Sequence, residues 1–247
     1  MTPEILFNPP PENLELTDGE IHVFCASLAP PLAWLERFAE TLSEDERGRA
    51  SRFIFERDRN RFVAGRGILR EILGRLLRVG PGELVFSYGV HGKPRLAAPV
   101  EGRFMHFNVA HSDSLAVYAI SREQEVGIDL ERVRPIREAE QITDFLFTKS
   151  ERAQMSLLPP ERKTEAFFQY WTGKEAFLKA HGEGIGASLN QVEVSFMSGK
   201  PMQAYQLDGG PRRIADLQLQ SFAPASGYTG TVAARGGSVK IKRWLIS

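Results

Sequence analysis

A single cysteine, Cys25, stands among 247 residues, so no internal disulfide can staple this chain and no Cys/His cluster can form a zinc site. Net charge is missing too: 31 basic residues meet 31 acidic ones, which excludes a general polyanion binder and leaves nucleic acid unsupported as a partner. No stretch approaches the roughly 20 apolar residues of a membrane span. The opening MTPEILFNPPPENLELTDGE places acids and prolines where a secretory signal needs a basic start and an apolar run. The expected setting is therefore reducing, cytoplasmic and away from membranes. Neither a Walker A sequence, a G-x-G-x-x-G turn nor a G-x-S-x-G elbow occurs, so three common routes to phosphate or acyl chemistry are closed.

What is present is ordinary soluble composition, 42% hydrophobic and 25% charged, in a chain long enough to bury a sizeable core. Length alone leaves the domain count between one and two. A better signal comes from self-similarity. FVAGRGILR (Phe62 to Arg70) overlies WTGKEAFLK (Trp171 to Lys179), with Ile68-Leu69-Arg70 on Phe177-Leu178-Lys179. FSYGVHGKP (Phe86 to Pro94) overlies VSFMSGKP (Val194 to Pro201), and Leu115 to Ile120 overlies Thr229 to Ala234. Two matches at a nearly constant offset, and a third somewhat further apart, predict an internal duplication. The expected fold class is α+β, built of two similar α/β halves, residues 1–122 and 123–247, with a ligand cleft at the seam between them.

Local patterns fill in the elements. A strand is expected over Ile21 to Ala26, a helix over Leu32 to Leu42 after Pro30-Pro31, and a capping box at Ser43-Glu44-Asp45-Glu46. A long helix follows from about Asp58 to Val79, closed by Gly80-Pro81-Gly82. Short strands come next, and Thr148-Lys149-Ser150-Glu151 reads as a second capping box.

The sharpest chemical feature is Val126-Gly127-Ile128-Asp129-Leu130-Glu131. On a strand, a period of two puts Asp129 and Glu131 on one face and Ile128 and Leu130 on the other. Two carboxylates side by side repel unless a cation screens them, which suits Mg²⁺; a solvated edge strand with its charged face outward fits the same triplet. Glu175 and Lys179 share a helix face with Trp171, as a ligand set or as an ordinary i,i+4 pair. Asp129, Glu131 and Glu175 together with Lys174, Lys179 and the basic stretch from Arg47 to Arg78 suit a magnesium diphosphate. Between Glu44 and Arg78 ten arginines outnumber six acids; most are solvated helix faces, while a few can clamp a phosphate with a bidentate fork. His111, at a strand end before the Ser112-Asp113-Ser114 turn, and Lys93, on a Gly-Lys-Pro turn, can each present a nitrogen to a phosphate or serve structure alone.

GKPRL at Gly92 to Leu96, FNVAHS at Phe107 to Ser112, VGIDLE at Val126 to Glu131 and WTGKEAFLKAHGEGI at Trp171 to Ile185 resemble, in this order, the motifs of 4′-phosphopantetheinyl transferases of the long, surfactin-synthetase-activator type. The resemblance covers roughly Leu42 to Val194. It implies a monomeric enzyme that moves phosphopantetheine from coenzyme A to a serine of an apo acyl or peptidyl carrier protein. Coenzyme A would lie between the halves, its nucleotide on the first, with metal and catalysis on the second. By the same resemblance Asp129, Glu131 and Glu175 hold Mg²⁺, Lys179 and His111 contact phosphates, Ser112 adds a hydroxyl, and Lys93 helps hold the nucleotide. Glu175 or a metal-bound water takes the serine proton. Two positions depart from the family pattern. Ala110 replaces a hydroxyl residue, and Glu46 replaces a phosphate-binding lysine, leaving Arg47 and Arg49 for the 3′-phosphate. Arg132, Arg134 and Arg137 are candidate rim contacts to the carrier. The alternative is a non-catalytic module that binds coenzyme A or a carrier protein.

Overall fold

The computed structural model describes residues 4–89, 92–100, 102–136, 139–181, 189–195, 202–206, 212–213, 217–236 and 239–246. Strand β1 (Glu20–Ser27) leads to helix α1 (Leu32–Thr41), which Pro31 opens at φ −54, and to the short α2 (Glu44–Ala50). At the start of α2 the Ser43 amide donates to Glu46 Oε2 at 3.1 Å, as the capping box predicts. Helix α3 (Glu56–Leu77) ends where Arg78 turns left-handed at φ 61, just before Gly80 and Pro81. Strands β2 (Phe86–Tyr88) and β3 (Pro94–Leu96) form a hairpin, followed by β4 (His106–Ser112), β5 (Leu115–Ser121) and β6 (Val126–Arg132). Helices α4 (Ala139–Leu146), α5 (Lys149–Ser156) and α6 (Pro160–His181) come next. The chain then runs through β7 (Val192–Ser195), β8 (Gln203–Gln206), β9 (Arg212–Arg213), β10 (Leu217–Phe222), β11 (Tyr228–Arg235) and β12 (Lys240–Ile246).

Two sheets organise these elements, in the orders β12-β1-β5-β4 and β10-β11-β6. Period-two alternation decides which residue enters which core. Phe24 and Ala26 of β1, with Ala116, Tyr118 and Ile120 of β5, pack under α3 with Ile68, Leu69, Ile72 and Leu73. Their neighbours Ile21, Val23 and Cys25, and Leu115, Val117 and Ala119, face the other way. There they share a core with Val126, Ile128 and Leu130 of β6 and with Val232 and Ala234 of β11. A third cluster lies under α6, where Phe177, Leu178 and Ala180 meet Leu217, Leu219 and Ala233. The sheets thus share an apolar core between them, and each carries a 22-residue helix on its outer face.

The two halves repeat one topology: β1-β5-β4 and β6-β11-β10 are each antiparallel, with the first strand beside the last. Leu115–Ile120 and Thr229–Ala234, paired by sequence alone, fall on the equivalent strands β5 and β11. Residues 196–201 of the second Gly-Lys-Pro match lie outside the described residues. One feature no local pattern announces is that β12 crosses back to pair in parallel with β1, so the first half takes an edge strand from the end of the chain.

Candidate functional site

Strand β6 and helix α6 approach more closely than side chains normally allow. A Cβ on Gly127 would lie 2.0 Å from the Ala176 carbonyl oxygen and 2.4 Å from the Ala180 nitrogen, so only glycine fits there. That approach brings Lys179 Nζ to 2.6 Å from Asp129 Oδ1 and 3.3 Å from the Ile128 carbonyl. Asp129 and Glu131 share the face of β6 turned from the apolar core, while Ile128 and Leu130 enter it.

Asp129 is 6% exposed and Glu175 3% exposed, and one oxygen of each, Asp129 Oδ2 and Glu175 Oε1, is buried with no hydrogen-bond partner among the described residues. Burial pushes both carboxyls above the usual carboxylate range; Lys179 only partly offsets this at Asp129, and the Asp129 charge adds to it at Glu175. Glu131 moves the same way, through burial, against a 2.9 Å hydrogen bond from Ser112 Oγ. Orphaned anionic oxygens in a dry place invite a cation. These are hard oxygen donors of the kind Mg²⁺ takes, yet among the described residues no three His, Cys, Asp or Glu side chains gather tightly enough to hold a metal unaided. Oxygens from a substrate would have to complete the shell.

Next to the carboxylates opens a cavity of about 550 Å³, lined in part by Arg49, Phe53, Arg61, Phe62, Arg66 and His111. Ser112 joins the two regions, because its hydroxyl donates to Glu131 and accepts from the Arg132 amide at 3.1 Å. Desolvation, then the Lys179 and Arg61 cations, lower the His111 pKa and favour the neutral ring, while an arriving anion would favour its protonation. Asp113, in a left-handed turn at φ 53, bridges the halves: it accepts from Arg61 of α3 at 3.0 Å and from Arg132 of β6 at 2.5 Å.

Every residue that lines this cavity belongs to the first half, whereas the sequence predicts the cleft at the seam; family models match each half. One described as 4′-phosphopantetheinyl transferase, N-terminal, covers residues 29–123; another, the 4′-phosphopantetheinyl transferase superfamily, covers 125–233. The transferase HetI of Nostoc sp. is 39% identical over 96% of this chain and 96% of its own. The chain belongs to the 4′-phosphopantetheinyl transferase family. A phosphopantetheinyl transferase of Thraustochytrium sp. is 31% identical over 74% of this chain and 67% of its own. Sfp of Bacillus subtilis is 28% identical over 64% and 68%.

In this transferase the structure brings Asp129, Glu131, Glu175 and Lys179 together, with Ser112 bonded to Glu131, while His111 and Arg49 line the neighbouring cavity. Three other residues stand elsewhere. The Arg47 guanidinium donates to the Leu42 carbonyl and lines a separate hollow beside α1 with Leu35 and Ala39. Lys93 spends its ammonium on protein partners in the second half. Lys174, grouped by sequence with the phosphate cations, is fully buried against Glu151 at 2.6 Å and donates to the Leu146 and Leu189 carbonyls. Glu46 departs from the family for a visible reason: it is buried and accepts from Arg70 Nε at 2.8 Å, with Arg66 at 3.5 Å, so it braces α2 on α3. Ala110 points into the apolar core shared by the sheets. Arg134 is exposed, and Arg137 lies outside the described residues.

Sequence reasoning missed Arg61 and Arg66 as cleft residues and Gly127 as the contact that makes the site. The arginines were counted in the basic stretch but not singled out, and the glycine left a signal as the small residue inside a strand of large apolar and charged residues.

Proposed function

We propose that this protein transfers the 4′-phosphopantetheine group of coenzyme A to a serine hydroxyl of an apo carrier protein, releasing 3′,5′-ADP, with Mg²⁺ as cofactor. What carries the reading is the pair of buried, unpartnered oxygens of Asp129 and Glu175, with His111 linking them to an arginine-lined cavity of the first half, in a chain of this family. Asp129, Glu131 and Glu175 would hold Mg²⁺, which when bound neutralises diphosphate charge and eases departure of 3′,5′-ADP.

The chain's own groups do the rest by placement and charge. Arg49 and Arg61 face the nucleotide phosphates from the first half. Lys179 and His111 stabilise charge on the diphosphate, and Lys179 favours the ionised form of Asp129 against the effect of burial. The serine oxygen attacks the β-phosphorus, the bond to the leaving phosphate breaks with its electron pair going to 3′,5′-ADP, and the serine proton passes to Glu175. A carboxylate with a raised pKa suits that task better than an exposed one.

The protein would act as a monomer divided at residues 122/123, in the cytoplasm. Cys25 fits that setting, since it is buried with its thiol pushed up to about 12, and no helix among the described residues is long and apolar enough to cross a membrane.

Intact-mass analysis of an apo carrier protein incubated with this protein, coenzyme A and Mg²⁺ tests the reading. A phosphopantetheine mass gain is expected, lost with EDTA and with Glu175→Ala. Coenzyme A binding without release of 3′,5′-ADP, across fatty-acid, polyketide and peptide carriers, would instead establish a binding module.

A further inference from the structure

Lys93 is the last residue of the turn that joins β2 to β3, in the first half. Its backbone is fixed three ways: the Gly89 amide donates to its carbonyl at 3.0 Å, Gly92 takes φ 74 beside it, and Pro94 holds it extended. From there the side chain crosses the seam. Nζ donates to the Lys179 carbonyl at 2.8 Å, to the Val126 carbonyl at 3.3 Å and to Glu125 Oε2 at 3.3 Å. An ammonium has three hydrogens, and three acceptors take them.

The identity of those acceptors matters. Val126 is the first residue of the strand that carries Asp129 and Glu131, and Lys179 lies in the last turn of the helix that carries Glu175. The Lys179 carbonyl is one of the last four of α6, which lack a partner within the helix and attract a cation at the negative end of its dipole. Glu125 in turn receives His106 Nδ1 of β4 at 3.3 Å on its other oxygen, so the anchoring carboxylate is itself tied to the first half.

We propose that Lys93 is a positioning residue, a strut across the seam that fixes β6 and the end of α6 against the first-half hairpin and thereby aligns the carboxylates and Lys179 with the cleft. This replaces the nucleotide contact that the family resemblance implies for Lys93. Its catalytic consequence rests on the transferase reading; its structural consequence does not.

The test compares Lys93→Met and Lys93→Arg in the full chain. Without substrate, amide exchange in residues 126–132 and 174–181 should quicken about tenfold in Lys93→Met, the worth of a charge-assisted hydrogen bond, and less in Lys93→Arg. With substrates, kcat should fall about tenfold while coenzyme A affinity stays within about threefold, and Lys93→Arg should recover part of the rate. Unchanged exchange overturns the strut, and so does a coenzyme A affinity loss of about tenfold with kcat intact, since that marks a ligand contact. If Lys93→Met does not fold, Glu125→Gln, which weakens one of the three acceptors, should show the same pattern at smaller size; no change in exchange there overturns the proposal. Quickened exchange in a protein that makes no holo-carrier upholds the strut and refutes the transferase reading, so the two failures are distinct.

Discussion

Helices α3 and α6 have equal length and equivalent places on their sheets, yet they use the same position for opposite ends. The sequence match puts Arg70 of α3 on Lys179 of α6. Arg70 is 1% exposed and is consumed by Glu46 and by the Pro81 and Leu84 carbonyls. Lys179 is 27% exposed and, among the described residues, is held only by Asp129 and the Ile128 carbonyl. A cation sealed among acceptors stabilises the fold and can do nothing else; a cation left partly open beside a buried carboxylate can meet a ligand. Duplication supplied the cation in both halves, and its surroundings determined which one faces chemistry.

The most direct way to break this comparison is to remove each cation. Arg70→Met strands Glu46 in the interior and should cost about 3–5 kcal/mol in denaturant unfolding, with activity per folded molecule little changed. Lys179→Met should behave inversely: about 1 kcal/mol of stability, because Asp129 can take up a proton, but a loss of about 10²–10³ in kcat. Equal stability losses in the two variants would erase the distinction.

The halves also differ in where they place the glycine that permits close packing. In the first half it lies on the helix: a Cβ on Gly67 would come 2.2 Å from Phe38 Cβ, so α1 rests on α3. In the second it lies on the strand, at Gly127 against α6. Alanine at either site should overpack and cost about 1–3 kcal/mol. Only Gly127→Ala should also cut activity, since it separates Lys179 from Asp129. Matching activity in both variants would show that the distance between β6 and α6 is not critical.

Features governed by residues close in sequence were legible in advance. Period two placed Asp129 with Glu131, helical spacing placed Glu175 with Lys179, and both capping boxes formed at Ser43 and Thr148. What escaped depends on contacts distant in sequence. Glu151 was read only as a capping residue and Glu46 as a capping residue and a departure from the family pattern, and nothing nearby says that Arg70 and Lys174 arrive to bury them. The pairing of β12 with β1 joins the two ends of the chain, and the partners of Lys93 lie across the seam. A local pattern encodes which face a residue occupies; what meets that face is set by the whole fold.

The smallest predicted effect contrasts the carboxylates themselves. Glu125, at the seam, is held down to about 2, first by its hydrogen bond with His106 and then by Lys93. Its contribution to stability is present above the ordinary value of 4.5 and is lost as pH falls toward 2. Asp129, Glu131 and Glu175 are raised by burial, so they bind protons more readily folded than unfolded. Their contribution is present in acid and is lost as pH rises past the ordinary carboxylate range through their raised values. Without divalent cations, Glu175→Gln should therefore raise stability at neutral pH and flatten its decline from acid, whereas Glu125→Gln should lower it. The Glu125→Gln change should be about 1 kcal/mol or less, since the seam carboxylate is partly solvated. With coenzyme A present to complete the shell, Mg²⁺ should act oppositely on the trio: it needs the ionised oxygens, so the melting shift it adds in wild type should grow with pH and vanish in Glu175→Gln. A Mg²⁺ shift that is independent of pH, or that survives in Glu175→Gln, would place the cation elsewhere and sever the link between the raised carboxylates and metal binding.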